Sequence, residues 1–407
     1  MSFRSLLNKD SGLSVTFHGL KALVVLFVNW IVLTHYSVDQ FIIWAVTSSV
    51  LMIATASDLG IGQYTVMRLI NSDHSEWPAH VSQSIGALLP LAIAAGVFVF
   101  LAIDGTSETY KLAMASMLTI RILTIPFAAV LNALNQFKIR KAIDLVSYCL
   151  AALGIVIIVW SEREIELALL TLNATFVVGA ILTVLAAAKF HPVRASISTS
   201  AIRPSLRVLR GAMPFMANNL TTLLTYGGFI WLCSLALPKA DVAKLAVLHS
   251  FALVNLYQFY DVFLKARQAD LADPEKVGPY RKLNALVLAA TPVLFIIAGR
   301  DVLALIGNPV IIDTTTTVLF SLFMASELGN LYAQSIVQVK NSLVDRLKVY
   351  SIIRLGMLPV FLLIGNITSA NDYRLYALIV LLSLLSIASY LYLAHWSTSS
   401  VARQTEV

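Results

Sequence analysis

The chain has 407 residues, of which 58% are hydrophobic and only 13% charged. Soluble domains carry about twice that share of charge, so a water-soluble globular protein is excluded and bilayer is the solvent for most of the chain. The net charge of +7 would suit a nucleic-acid partner in a soluble protein, but here the bias of basic residues toward cytoplasmic loops accounts for it, and no nucleic acid is expected.

A spanning helix needs roughly 20 mostly apolar residues. Taken in chain order, spans are expected over 14–34, 38–58, 83–103, 112–133, 143–160, 166–188, 212–233, 242–263, 284–304, 314–336, 347–367 and 374–396. The opening MSFRSLLNKD shows no cleavage pattern before the first apolar run, so that run is expected to stay as the first helix. These spans and their short loops nearly exhaust the chain, which leaves no soluble domain for a fused enzyme. Cys149 and Cys233 lie inside apolar runs, so they read as packed small residues rather than a disulfide or metal site. No cofactor is expected.

Connections alternate in length and charge. Of the 29 Lys and Arg, 20 fall in the N-terminus, the even-to-odd loops and the C-terminus, six on the opposite side and three within spans. That asymmetry places both termini in the cytoplasm, as an even number of spans requires. The basic loop over 189–210 divides the chain into an N-terminal half, 1–195, and a C-terminal half, 196–407, each expected to be a six-helix bundle. Two echoes favour a parallel repeat: Asp58 and Asp261 close equivalent spans, and Gln136-Phe-Lys138 and Gln338-Val-Lys340 follow equivalent spans. The fold class is therefore an all-α polytopic membrane protein of about twelve spanning helices in two bundles.

Polar groups inside a bilayer are costly unless they face protein or water. At roughly 100° per residue, Ser14, His18, Lys21 and Asn29 share one face of the first span, and Arg121, Thr124, Asn132 and Asn135 one face of the fourth. Asn218, Thr222, Thr225 and Tyr226 do so in the seventh, and Glu327, Asn330, Gln334 and Gln338 in the tenth. A single Ser, Thr or Asn can be a plain helix-to-helix hydrogen bond; four coherent stripes point to a hydrated cleft between the bundles. His18 and His249 read as packed or cavity-lining side chains.

The costly residues are Lys21, Arg121, Arg354 and Glu327. A pair between Glu327 and one Arg would account for one cation and leave two. Guanidinium groups suit phosphate oxygens, so an anionic substrate entering from the cytoplasm is the simplest purpose, although Lys21 could instead snorkel to the interface. Asp58 and Asp261 read as gate or salt-bridge residues at helix ends, or as an ion site. Prolines at 90, 126, 214, 292 and 359 could be hinges or static bends.

The segment Asp58-Leu-Gly-Ile-Gly-Gln-Tyr-Thr-Val-Met-Arg68 resembles the "DLG…R" segment that ends the second span of Wzx-type polysaccharide flippases. Phe137-Lys-Ile-Arg-Lys-Ala-Ile-Asp144 is similar to that family's fourth-to-fifth connection, and Arg210-Gly-Ala-Met-Pro-Phe215 resembles the "GLPF" entry to its seventh span. The layout matches over essentially the whole chain. The resemblance implies the multidrug/oligosaccharidyl-lipid/polysaccharide exporter superfamily: a MATE-like, V-shaped pair of six-helix bundles, alternating access and cofactor-free transport in the bacterial inner membrane. It implies flipping of an undecaprenyl-pyrophosphate-linked oligosaccharide, such as an O-antigen unit, to the periplasmic leaflet. Implied partners are that lipid-linked oligosaccharide, membrane lipids, other polysaccharide-assembly membrane proteins and a coupling ion.

On this reading the pyrophosphate engages Lys21, Arg121 or Arg354, while Asn132, Asn135, Asn218, Asn330 and Gln334 meet sugar hydroxyls. The alternative is a cation-coupled multidrug exporter of the same fold. Cationic drugs call for deep acidic residues, and only Glu327 stands against three basic ones. A membrane enzyme would need a large loop with clustered carboxylates or histidines, and no outer loop is long enough. No Walker-type glycine loop appears.

Overall fold

The computed structural model describes residues 9–55, 58, 60–103, 106–134, 136–190, 206–213, 227–265, 271, 277–305, 310, 312–339, 344–366 and 371–402. Among them every regular element is a helix. Lipid offers backbone groups no hydrogen-bond partners, and a helix satisfies them internally. The helices are α1 (Lys9–His35), α2 (Val38–Thr55), α3 (Ile61–Ile70), α4 (Trp77–Ala102), α5 (Glu108–Leu123), α6 (Ile125–Ala133), α7 (Phe137–Trp160), α8 (Ile165–Phe190) and α9 (206–213). They continue as α10 (Phe229–Ala236), α11 (Lys239–Leu248), α12 (Val254–Lys265), α13 (Val277–Leu305), α14 (Thr314–Val339), α15 (Val344–Leu355), α16 (Met357–Gly365) and α17 (Asn371–Ala402).

Seven helical stretches among the described residues are long and apolar enough to cross a membrane: His74–Ala102, Glu108–Ala133, Lys138–Trp160, Ile165–Phe190, Lys239–Asp261, Val277–Ile297 and Tyr373–His395. Gly19–His35, Val38–Ala54 and Val349–Gly365 are shorter apolar helices. All coincide with spans expected from the sequence. The seventh expected span falls largely on residues 214–226, outside the described residues. The tenth coincides with α14, which is long enough to cross but is diluted by Glu327, Asn330 and Gln334. Protein rather than lipid surrounds it: nearly every side chain from Phe323 to Val337 is buried.

Prolines act in two ways. Pro126 has no N–H and crowds the carbonyl four residues back, and the fourth span breaks there into α5 and α6. Thr124 covers the break, its N and Oγ1 both donating to Arg121 O at 3.3 and 2.8 Å. Pro359 accompanies a similar break at Gly356, between α15 and α16. Pro90 and Pro292 lie inside unbroken helices. The eighth span carries a single π-helical turn, His249–Leu253, between α11 and α12.

The chain forms two compact units. The first comprises Met1–Ala22, Val32–Ile42 and Ile230–Val407; the second comprises Leu23–Ile31 and Ile43–Phe229. In the second, α7 packs on α8 and α4 on α5. Small residues set both approaches, as is usual where helices associate in lipid. A Cβ on Gly179 of α8 would collide with Ser147 Oγ of α7, and one on Gly96 of α4 would lie 2.9 Å from Thr119 Oγ1 of α5. A core of Leu69, Trp77, Val81, Phe127, Val130, Leu131 and Ala187 joins α3, α4, α6 and α8. In the first unit α14 packs against α13, α17, α12 and α15. Its core clusters hold Tyr260, Leu264, Leu328, Leu331 and Ile336, and Ala333, Val337, Tyr350 and Leu393.

Candidate functional site

In the second unit Arg121 occupies the last turn of α5, just before the break at Pro126. Its Nη1 donates to Asn173 Oδ1 of α8 at 3.2 Å. The guanidinium lies 4.7 Å from the ring centroid of Phe176, one turn further along α8. Cation–π contact of this kind holds a charge while leaving donors at its edge. Tyr148 of α7 meets Phe176 edge-on at 4.8 Å. Asp144, one turn before Tyr148, is within electrostatic reach of Arg121, but no carboxylate of the described residues comes within 4.0 Å of it. Asn173 is itself fixed, with Nδ2 donating to Leu169 O at 3.0 Å. Arg121 is thus an oriented intramembrane cation without a direct counter-ion among the described residues. Asn132 is half-buried on α6, in the same unit. Asn135 and Asn218 lie outside the described residues.

The first unit gathers a second set. Glu327, Asn330 and Gln334 share one face of α14 and are all buried. Arg354, in the last turn of α15 and 2% exposed, grips Glu327 with both terminal nitrogens: Nη1 to Oε1, and Nη2 to Oε2 at 2.7 Å. Ser386 Oγ of α17 donates to Glu327 Oε1 at 2.6 Å. Asn330 Nδ2 donates to Ser386 O at 2.9 Å, and Ser389 Oγ donates to Asn330 Oδ1 at 3.0 Å. Gln334 Nε2 donates to Tyr350 Oη of α15. The tenth-span stripe is therefore turned onto α15 and α17, where these groups satisfy one another. Fork-on-fork geometry of this kind is the strongest form of such a pair. Lys21 is half-buried on α1, and Asp261 half-buried on α12.

Asp58 lies beyond the end of α2. Its oxygens accept from Gly60 N at 3.1 Å and Gly62 N at 3.3 Å, placing a carboxylate at the start of α3, where helix N–H groups lack partners. Gly60 has φ 78°, a left-handed conformation that favours glycine. The Asp-Leu-Gly segment is thus a helix-entry turn. Arg68, at the other end of α3, donates to Gln83 Oε1 at 2.9 Å.

A polar clasp that sequence reading missed ties α11, α14 and α17. Asp313 precedes α14 and accepts from Thr316 N at 2.8 Å, Thr316 Oγ1 at 2.7 Å and Tyr376 Oη at 3.1 Å. Lys244 bridges Asp241 at 3.1 Å and Asp313 at 3.7 Å. Burial alone would raise the Asp313 carboxyl, but the Thr316 and Tyr376 hydrogen bonds outweigh it and hold the carboxyl below its ordinary value.

Also missed were Asn173, Phe176, Tyr148, Ser386 and Ser389. A signal existed: Arg121 and Arg354 each stand five residues before a proline, in RILTIP and RLGMLP. Both arginines sit at the helix break that proline marks.

Comparison with solved structures decides the architecture. An inward-facing multidrug resistance MATE family transporter of the MOP superfamily superposes with a TM-score of 0.63 over 95% of this chain and 96% of its own, at 12% identity. A eukaryotic MATE transporter superposes at 0.56, over 98% of each chain and at 13% identity. A MOP superfamily transporter from Pyrococcus furiosus, whose binding pocket is described as of reverse polarity suggesting a different function, superposes at 0.54 over 97% of this chain and 98% of its own, at 10% identity. The fold is that of the MATE transporters. No protein-family model matches the sequence, and no curated protein aligns with it significantly. Within the MATE fold, the two intramembrane arginines differ in state: Arg354 is ion-paired in the first unit, and Arg121 is held on an aromatic face in the second.

Proposed function

We propose that the protein is a membrane exporter that flips a lipid-linked oligosaccharide, with its phosphate groups drawn to Arg121. The observation that carries the reading is an oriented guanidinium inside a membrane-spanning bundle, seated on Phe176 and Asn173 with no carboxylate within ion-pair distance among the described residues. Keeping a cation there is costly, and a bidentate phosphate ligand would recover that cost. In the second unit Asn132 is a hydrogen-bond partner for sugar. In the first unit Lys21 is a candidate phosphate contact of its own, and for Arg354 to bind phosphate it would have to leave Glu327. Substrate would load from the cytoplasmic leaflet of a bacterial inner membrane and be released on the periplasmic side, beside other polysaccharide-assembly membrane proteins. The reverse-polarity pocket ascribed to the Pyrococcus furiosus transporter is consistent with pocket charge, rather than fold, setting the substrate.

The second reading, a cation-coupled multidrug exporter, draws support from the multidrug resistance transporter that this chain resembles in fold. The two readings part at Arg121. In a bacterium that depends on this gene for surface polysaccharide, Arg121→Ala should cut polymer by about tenfold or more at equal protein level, in line with the loss of a charge-assisted contact. Arg121→Lys should retain part of the activity. Unchanged polymer would overturn the flippase reading. Loss of resistance to cationic dyes on deletion of the gene, with polymer intact, would favour the drug exporter.

A further inference from the structure

The first unit carries an apolar groove of about 480 Å³, lined by Leu288 of α13, Leu319, Leu322, Ala325 and Gly329 of α14, and Ser383, Leu384 and Leu391 of α17 among others. Its floor is α14, whose small residues Ala325, Ser326 and Gly329 let the flanking helices form walls. Gly329 sets the depth, since a Cβ there would lie 3.3 Å from both Leu288 and Tyr390. The groove opens outward: Leu322, Leu384 and Leu391 on its rim are exposed. Both serines of its lining turn their protons to their own helices: Ser326 Oγ donates to Phe323 O and Ser383 Oγ to Ile379 O, each at 2.7 Å.

Length and charge point to the occupant. From Leu319 to Gly329 the floor rises about 15 Å at helical pitch, half the roughly 30 Å hydrocarbon thickness of a bilayer. The groove therefore runs about the depth of one leaflet, the reach of a lipid's hydrocarbon chain. Charge sits at one end. Arg281 is seven residues before Leu288 on α13, hence on the same face and about 10 Å beyond the groove, with Lys282 next to it; both are exposed. Tyr332 of α14 lies within electrostatic reach of both Arg281 and the groove-lining Tyr390, which fixes this as the Gly329 end.

We propose that this groove seats one acyl chain of an anionic bilayer phospholipid, with the headgroup phosphate against Arg281 and Lys282. The site lies wholly within the first unit and is separate from Arg121, so it stands whatever substrate the protein exports.

The test uses the full chain in nanodiscs of phosphatidylglycerol or phosphatidylcholine doped with the same headgroup carrying a photoactivatable acyl chain, followed by peptide mapping. Phosphatidylglycerol should label the Leu322–Gly329 and Leu384–Leu391 segments at least fivefold above equally exposed surfaces such as Leu153 and Ile157 of α7. Ser326→Leu, which fills the groove, should abolish that excess while leaving α7 labelling and the melting temperature unchanged. Arg281→Ala with Lys282→Ala should remove the preference for phosphatidylglycerol over phosphatidylcholine. Labelling proportional to exposure everywhere, or unaffected by Ser326→Leu, would overturn the proposal. So would disulfide capture of a second copy through cysteines placed at Leu322 and Leu384, because a protein would then occupy the groove.

Discussion

Arg354 and Glu327 occupy a position where neither could stand alone. Both are almost fully buried, and removing one partner strands the other charge at a cost of about 3–5 kcal/mol. Arg354→Met and Glu327→Gln should each lower the thermal midpoint of the purified protein markedly. Combining Arg354→Met with Glu327→Leu should recover much of the loss, because an apolar pair of similar volume tolerates burial better than a lone ion. A double variant as unstable as the sum of the singles would mean that Ser386 and Asn330 depend on the carboxylate for more than its pairing. The sequence showed that Glu327 could neutralise one arginine but not which. Arg121 and Arg354 are each followed five residues later by proline, so local sequence treats them alike. The difference arises because α14 lies beside α15, whereas α8 brings an amide and a phenyl ring to Arg121.

At the scale of elements, the clasp at the start of α14 couples three helices through one carboxylate. Asp313 is held below its ordinary value in the folded protein. Its contribution is therefore complete above the ordinary carboxyl range and fades as pH falls through the lowered value. Asp313→Asn should melt at a lower temperature than the parent near neutral pH, and the gap should close in acid once the parent carboxyl is protonated. Melting curves across that range check both points; a gap independent of pH would assign the effect to packing. Helix positions were largely legible beforehand, since length and hydropathy suffice to mark a span. The break at Pro126 followed from ring chemistry, but Pro90 and Pro292 show that the same residue can sit in an unbroken helix. In a bundle, neighbouring helices decide whether a freed carbonyl is re-satisfied.

For the whole molecule, basic residues predict that both termini face the cytoplasm. Reporters active only in the cytoplasm should work when fused at either end and fail in the short connection before Lys239; a working reporter there would invert the topology. Composition, span positions and charge bias come from the sequence by itself, because each depends on how a segment partitions between water and lipid. Which polar groups spend their hydrogen bonds on one another is a matter of tertiary structure. The stripe of Glu327, Asn330 and Gln334 promised a wet surface, yet it lies against Arg354, Tyr350, Ser386 and Ser389. Helical periodicity places side chains on a common face; only the packed neighbours determine whether that face meets water, lipid or partners.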